Sequence, residues 1–102
     1  MAKAFILAEL TIPDADAYRA SGYLAMAQAS VAAFGGRFLV RGGNPQPLEG
    51  DAPPDRIVIL EFPSRDAAVR FHASEHYAPA IRLRQSLSDG RLVLLDEFDG
   101  DA

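Results

Sequence analysis

The stretch from His72 to Arg84 holds an imidazole, a phenol and a guanidinium close together in sequence. Tyr77, Ala80, Ile81 and Arg84 fall at i, i+3, i+4 and i+7, so on a helix the arginine shares a face with apolar side chains. An unpaired cation on such a face is costly, and something must compensate it. His72 follows Phe71 at the end of the preceding helical segment. Near one cleft, these groups could bind a carboxylate or enol and move a proton, with His72 and Tyr77 as the catalytic pair and Arg84 as the anchor. A structural arrangement is the favoured alternative: Tyr77 in the core, His72 at a helix margin, and Arg84 snorkelling or capping a strand end.

Arg41 and Asn44 form a second candidate at the mouth of a long loop. They could make an anion-binding rim, or Arg41 could pair with Glu9, Glu61 or Asp96 of either chain in a dimer. His72 and His76 are spaced i, i+4, which on one continuous helix presents two imidazoles to a metal. Glu75 lies on another face, however, and Ser74 is a place for the helix to break. Either histidine could ligate haem, but nothing else in the chain asks for it. The expectation is therefore no metal and no cofactor. The chain has no cysteine, which removes thiolate ligands, thiol nucleophiles and disulfides. No serine sits in a nucleophile-elbow context. "RGGNPQ" lacks the lysine and helix start of a phosphate loop.

These residues stand in a chain of 102, enough for one domain, 1–102, with an acidic tail 99–102 expected to fray. The net charge of −4 argues against a nucleic-acid groove, which needs clustered Lys and Arg. "MAKAFILAEL" is interrupted by Glu9 and no cleavage pattern follows. No apolar run approaches the ~18 residues of a membrane span. A cytoplasmic protein that binds neither nucleic acid nor membrane is expected.

The elements that must position the candidates follow from periodicity. Lys3 to Thr11 reads as a strand, with Ala4, Ile6, Ala8 and Leu10 on one face and Phe5 and Leu7 on the other. Asp14 caps a helix that Gly22 weakens in the middle. Tyr23, Ala27, Val31 and Phe34 form one face of that helix, and Gly35 ends it. Arg37 to Arg41 is the second strand, followed by a Pro- and Gly-rich loop from Gly42 to Pro54. "RIVILEF", Arg56 to Phe62, is the third. Ser64 caps the next helix, whose inner stripe is Ala67, Ala68 and Phe71. A break near Ser74 precedes a segment ending near Leu87, and Gly90 to Phe98 is the last strand. The order β-α-β-β-α-β predicts an α+β ferredoxin-like sandwich.

Two helical layers cover one face of such a sheet, yet these strands are apolar on both. Phe38 and Val40 should join Val58, Leu60 and Phe62 on one face, and Leu39 should join Ile57 and Ile59 on the other. Paired as a hairpin, the strands bring Arg37 opposite Glu61 and Arg41 near Ile57. The uncovered face predicts a homodimer, two sheets face to face in a dimeric α/β barrel.

"GGRFLVRGG", "IVILEFPSRDAAVRFHASEHY" and the helical "LRQ" before the last strand resemble the family of domains of unknown function numbered 1330, within the dimeric α/β-barrel superfamily. The resemblance runs over nearly the whole chain. It implies the fold and the dimer but carries over no catalytic residue. The wider superfamily includes cofactor-free monooxygenases, haem-degrading enzymes and small-ligand binding modules. The function expected is therefore a small-molecule site, either a cofactor-independent enzyme acting on a small anionic or enolic substrate or a non-catalytic binding or assembly module.

Overall fold

The computed structural model describes residues 2–100. Its elements are β1 (Ala4–Thr11), α1 (Ala15–Ala20), α2 (Tyr23–Ala33), β2 (Arg37–Gly42), β3 (Arg56–Phe62), α3 (Arg65–Ala73), α4 (Ala78–Leu87) and β4 (Asp89–Asp96). The strands form one antiparallel sheet in the order β2-β3-β1-β4, with the helices packed on one face. This is the α+β ferredoxin-like sandwich. Residues 101–102 of the acidic tail lie outside the described residues.

Short polar residues set the helix boundaries. The Asp14 carboxylate accepts from the Ala17 N–H and starts α1. Gly22 does more than weaken the helix that follows: at φ +84° it splits the expected single helix into α1 and α2. The end of α2 is closed by a glycine pair. Gly35 adopts φ +77°, and the Gly36 and Gly35 N–H groups return to the Val31 and Ala32 carbonyls at 2.9 and 3.1 Å. Ser64 caps α3 through the Ala67 N–H. Ser74 ends α3, and its hydroxyl accepts from the Tyr77 N–H, which aims the chain into α4.

The helix side of the sheet is the core. Ala4, Ile6, Ala8 and Leu10 of β1 and Leu60 and Phe62 of β3 are buried there against Tyr23, Ala27 and Val31 of α2, Ala68 and Phe71 of α3, and Ala80 of α4. Phe71 lies at its centre, with ring centres 5.1 Å from Phe62 and 4.3 Å from Tyr77. The opposite face has no helix over it. Register places Phe5, Leu7, Ile57, Ile59, Val93 and Leu95 on that face. Ion pairs fence this apolar patch at both ends: Lys3 and Arg37 with Glu61 at one, and Arg91 with Glu9 at the other.

The hairpin register differs from the expected one in one respect. Arg37 does face Glu61, at 2.7 Å. A β-bulge between Phe38 and Val40 then slips the pairing by one residue, so Val40 lies opposite Ile59 and Arg41 opposite Val58 rather than Ile57. A one-residue slip exchanges the faces of a strand. Phe38 and Val40 therefore part company, and Arg41 turns to the helix side, where it bonds α2.

The Arg37 hydrogen bond, aided by Lys3, holds the Glu61 carboxyl below its ordinary range. A depressed carboxyl pKa contributes stability above the unfolded value, which is lost as pH falls through the folded value. The wild-type advantage in Tm over Glu61→Gln should therefore shrink steadily on acidification below the ordinary glutamate range. Thermal melts across pH 7 to pH 3 check this, and a constant difference would remove Glu61 from the acid limb.

Candidate functional site

Between the sheet and the helices lies a narrow cavity of about 30 Å³, the room of roughly one water. Its walls are mainly aliphatic and aromatic, from Ile6, Ala8, Leu24, Ala27, Leu60 and Phe71 among others. Its polar lining is of one kind. Tyr18, Tyr23 and Tyr77 contribute phenols, Arg41, Arg56 and Arg84 contribute guanidiniums, and no carboxylate lines it. These are all three tyrosines of the chain.

Each group is placed by a different element. Tyr18 is the buried residue of α1 and Tyr23 opens α2. Tyr77 stands at the entrance to α4, which also carries Arg84. The Tyr23 and Tyr77 hydroxyls are hydrogen-bonded at 2.8 Å. Two O–H groups sharing one bond leave one hydrogen without a partner in the pair, so the dyad retains a donor. Burial, with the Tyr77 phenol alongside, pushes the Tyr23 hydroxyl far above its ordinary value. Burial also raises Tyr18, against the opposing pull of Arg56. Arg56 sits with its guanidinium carbon 5.6 Å from the Tyr18 ring centre.

The arginines differ in how they are satisfied. Arg41 donates to Gln28 Oε1 at 3.0 Å and to the Leu24 carbonyl at 2.8 Å, and lies over the Phe38 ring. It pairs with none of Glu9, Glu61 or Asp96, which are taken by Arg91, by Arg37 and Lys3, and by Arg65. Arg84 is only 7% exposed, and its Nε, like that of Arg56, is buried without a hydrogen-bond partner. Among the described residues, ion pairs engage Lys3, Arg19, Arg37, Arg65, Arg70 and Arg91. Of the remaining cations, Arg41, Arg56 and Arg84 line this one cavity.

His72 stands apart. It is exposed in the last turn of α3, its ring centre 6.3 Å from that of Tyr77. It does not line the cavity but shares with Arg84, Ser88 and Arg91 an open polar cleft of about 350 Å³. Arg84 thus borders both spaces, Tyr77 lining the cavity and His72 the cleft. Asn44, at φ +47°, lines neither; it belongs to an outer vestibule of about 530 Å³ with Arg19, Gly42, Asp55, Tyr18 and Arg56. His76 is removed from His72 by the break at Ser74, and its Nδ1 bonds the buried Ser30 hydroxyl at 2.7 Å.

Tyr18, Tyr23 and Arg56 complete the site beyond the residues singled out from the sequence. A signal existed for Arg56, which shares strand parity with Val58, Leu60 and Phe62 and so points to the helices. It pairs with the buried Leu10 in the sheet.

The family model described as a domain of unknown function, DUF1330, matches residues 3–98. No curated protein matches the chain. Among solved structures, a protein of unknown function from Rhodopseudomonas palustris is 22% identical, covers 96% of this chain and 84% of its own, and has a TM-score of 0.73. The cofactor-independent oxygenase SnoaB from Streptomyces nogalater is 18% identical over 99% of this chain and 98% of its own, with a TM-score of 0.65. An antibiotic biosynthesis monooxygenase is 20% identical over 96% and 99%, with a TM-score of 0.51. At these identities the likeness is one of fold alone.

A buried guanidinium whose Nε–H is unmet among apolar walls is a burden on the folded state. Arg84→Met, which keeps the length and removes the charge, should raise stability by about 1–3 kcal/mol, the desolvation penalty of an unmet buried donor. Denaturant unfolding measures it, and a large loss instead would make Arg84 a structural residue. The tyrosines give a second check. Tyr18 and Tyr23 should show no phenolate absorbance as pH passes 10.0, their ordinary value, until the fold is lost.

Proposed function

The chain belongs to the DUF1330 family, and from that premise we propose that its cavity binds a small anionic or enolic molecule and turns it over without a cofactor. The observation that carries this reading is Arg84: buried, without a carboxylate partner, and bordering a space whose polar lining is phenols and guanidiniums with no carboxylate. A substrate anion supplies the missing counter-charge. Tyr77, held by Tyr23, donates to an oxygen on which negative charge develops, as a fixed donor in a dry site does best. Its partner Tyr23 stays protonated at neutral pH, because burial disfavours the phenolate. His72, on the solvent side of Arg84, exchanges the proton. Asn44 stands in the vestibule and Arg41 at the wall, as rim rather than reacting groups. The fold shared with a cofactor-independent oxygenase supports a reaction that needs no bound metal or flavin.

The working unit in this proposal is a homodimer in the cytoplasm. The uncovered sheet face supports it, with Leu39 and Leu95 each 44% exposed at its margins. A second copy is the simplest cover for a self-complementary apolar face ringed by ion pairs. Non-catalytic binding remains a second reading, favoured by the small volume of the cavity and by the position of His72 outside it.

Mass spectrometry of ligands retained by the purified protein identifies the occupant. With that compound, Arg84→Ala should abolish binding in a protein that still folds. His72→Ala should lower kcat by about 10²-fold or more with little change in affinity, the loss typical of a removed acid/base. Equal turnover by His72→Ala removes His72 from the chemistry, and no turnover by the wild type leaves the binding-module reading. For the assembly, wild-type protein should sediment as a dimer at micromolar concentration. Ile59→Asp should give monomers or insoluble protein, since each aliphatic side chain covered there is worth roughly 1.5–3 kcal/mol. A wild-type monomer would overturn the barrel.

A further inference from the structure

The charge of the cavity narrows the class of ligand beyond a single anion, on the premise that the cavity is a ligand site. Two of its guanidiniums, Arg56 and Arg84, each carry a buried Nε–H with no acceptor, and neither has an ion-pair partner among the described residues. The Tyr23–Tyr77 pair adds a free O–H. No carboxylate lines the cavity. Arg56 is partly exposed, but one monoanion at Arg84 would leave its buried Nε–H without an acceptor. Everything else on the walls is apolar, which disfavours a fully hydrated inorganic ion and suits a hydrocarbon body.

Position agrees with this count. Arg84 borders the cavity and the polar cleft beyond it, whereas Arg56 borders the cavity and the outer vestibule. Tyr18 stands between these two cations and is influenced by both. Tyr18 and Arg56 are thus the partition between a one-water cavity and a vestibule of about 530 Å³. Tyr18 rides on a six-residue helix bounded by Asp14 and by the left-handed Gly22, and the ligand in this proposal must displace it. Displacing the partition joins the two volumes into one elongated site with a guanidinium at each end of its inner part.

We infer that the site takes a dianion on a compact apolar skeleton, a carboxylate bound by Arg84 and a second anionic oxygen group bound by Arg56 across the Tyr18 partition. Isothermal titration calorimetry with three probes tests it: benzene-1,3-dicarboxylate, benzoate and inorganic phosphate. Wild-type protein should bind the dicarboxylate at least tenfold more tightly than benzoate, with phosphate weakest. In Arg56→Gln the dicarboxylate should fall to the affinity of benzoate while benzoate itself is unchanged. In Arg84→Gln both should be lost. Equal affinity of benzoate and dicarboxylate in the wild type, with both lost in Arg84→Gln, overturns the dianion and leaves the anion site standing. Phosphate binding as tightly as the dicarboxylate overturns the apolar skeleton. Binding of none of the three overturns the cavity as a ligand site, and the dianion with it. The wild-type ratio needs no variant, so a variant that fails to fold does not rescue the proposal.

Discussion

A strand side chain must point to one face of its sheet or the other, and this sheet has helices over only one of them. That asymmetry governs the rest of the molecule. Residues of one parity in β1, β3 and β4 meet α2, α3 and α4 and become the core. Residues of the other parity form an apolar patch with no cover in the single chain, fenced by Glu61 and Glu9 with their cations. Polar residues that fall on the helix side meet the helices instead of open water. Arg41 is bonded by α2, and the Arg56 Nε is left buried beside an internal space. The cavity is therefore a by-product of parity as much as of packing: it is where inward-facing cations meet three helices that offer phenols and no acids.

Much of this was legible in the sequence because alternation and helical spacing are local signals. The capping residues Asp14 and Ser64, the stop at Gly35, and the pairing of Arg37 with Glu61 needed no knowledge of the fold beyond a hairpin. Arg41 was not legible. A bulge adds a residue to one strand with no mark in composition, and every side chain beyond it changes face. Gly22 was read for its helix cost and not for its left-handed conformation, which splits α1 from α2 and so gives Tyr18 and Tyr23 independent directions into one cavity. The convergence of three tyrosines from separate elements is a tertiary fact, and no spacing announces it. The placement of His72 outside the cavity that Tyr77 lines is likewise set by packing, although both histidines and the break at Ser74 are visible in the chain.

The phenols decide what kind of electrostatics the cavity has. A carboxylate beside Arg84 would cancel its charge and make the pair a structural element. A phenol cannot do so while it stays neutral, and burial keeps Tyr18 and Tyr23 neutral well above physiological pH. The tyrosines therefore solvate the guanidiniums with dipoles while leaving their charge intact. This costs stability in the empty protein, and a marginally stable domain of this size has only about 5–15 kcal/mol in all. Such a burden persists where function needs it. The same neutrality also keeps one hydroxyl of the Tyr23–Tyr77 pair as a donor, so cations and phenols line a space that holds no carboxylate. In the proposed reading, selectivity for anions comes from what the fold withholds. The chain carries more acids than bases and is negative overall, yet it spends its acids on the outer sheet face, the helix starts and the loops. On that reading the acidic surface repels like charge, and affinity must be generated inside the cavity, by Arg84 and Arg56, and not by long-range attraction to the protein as a whole.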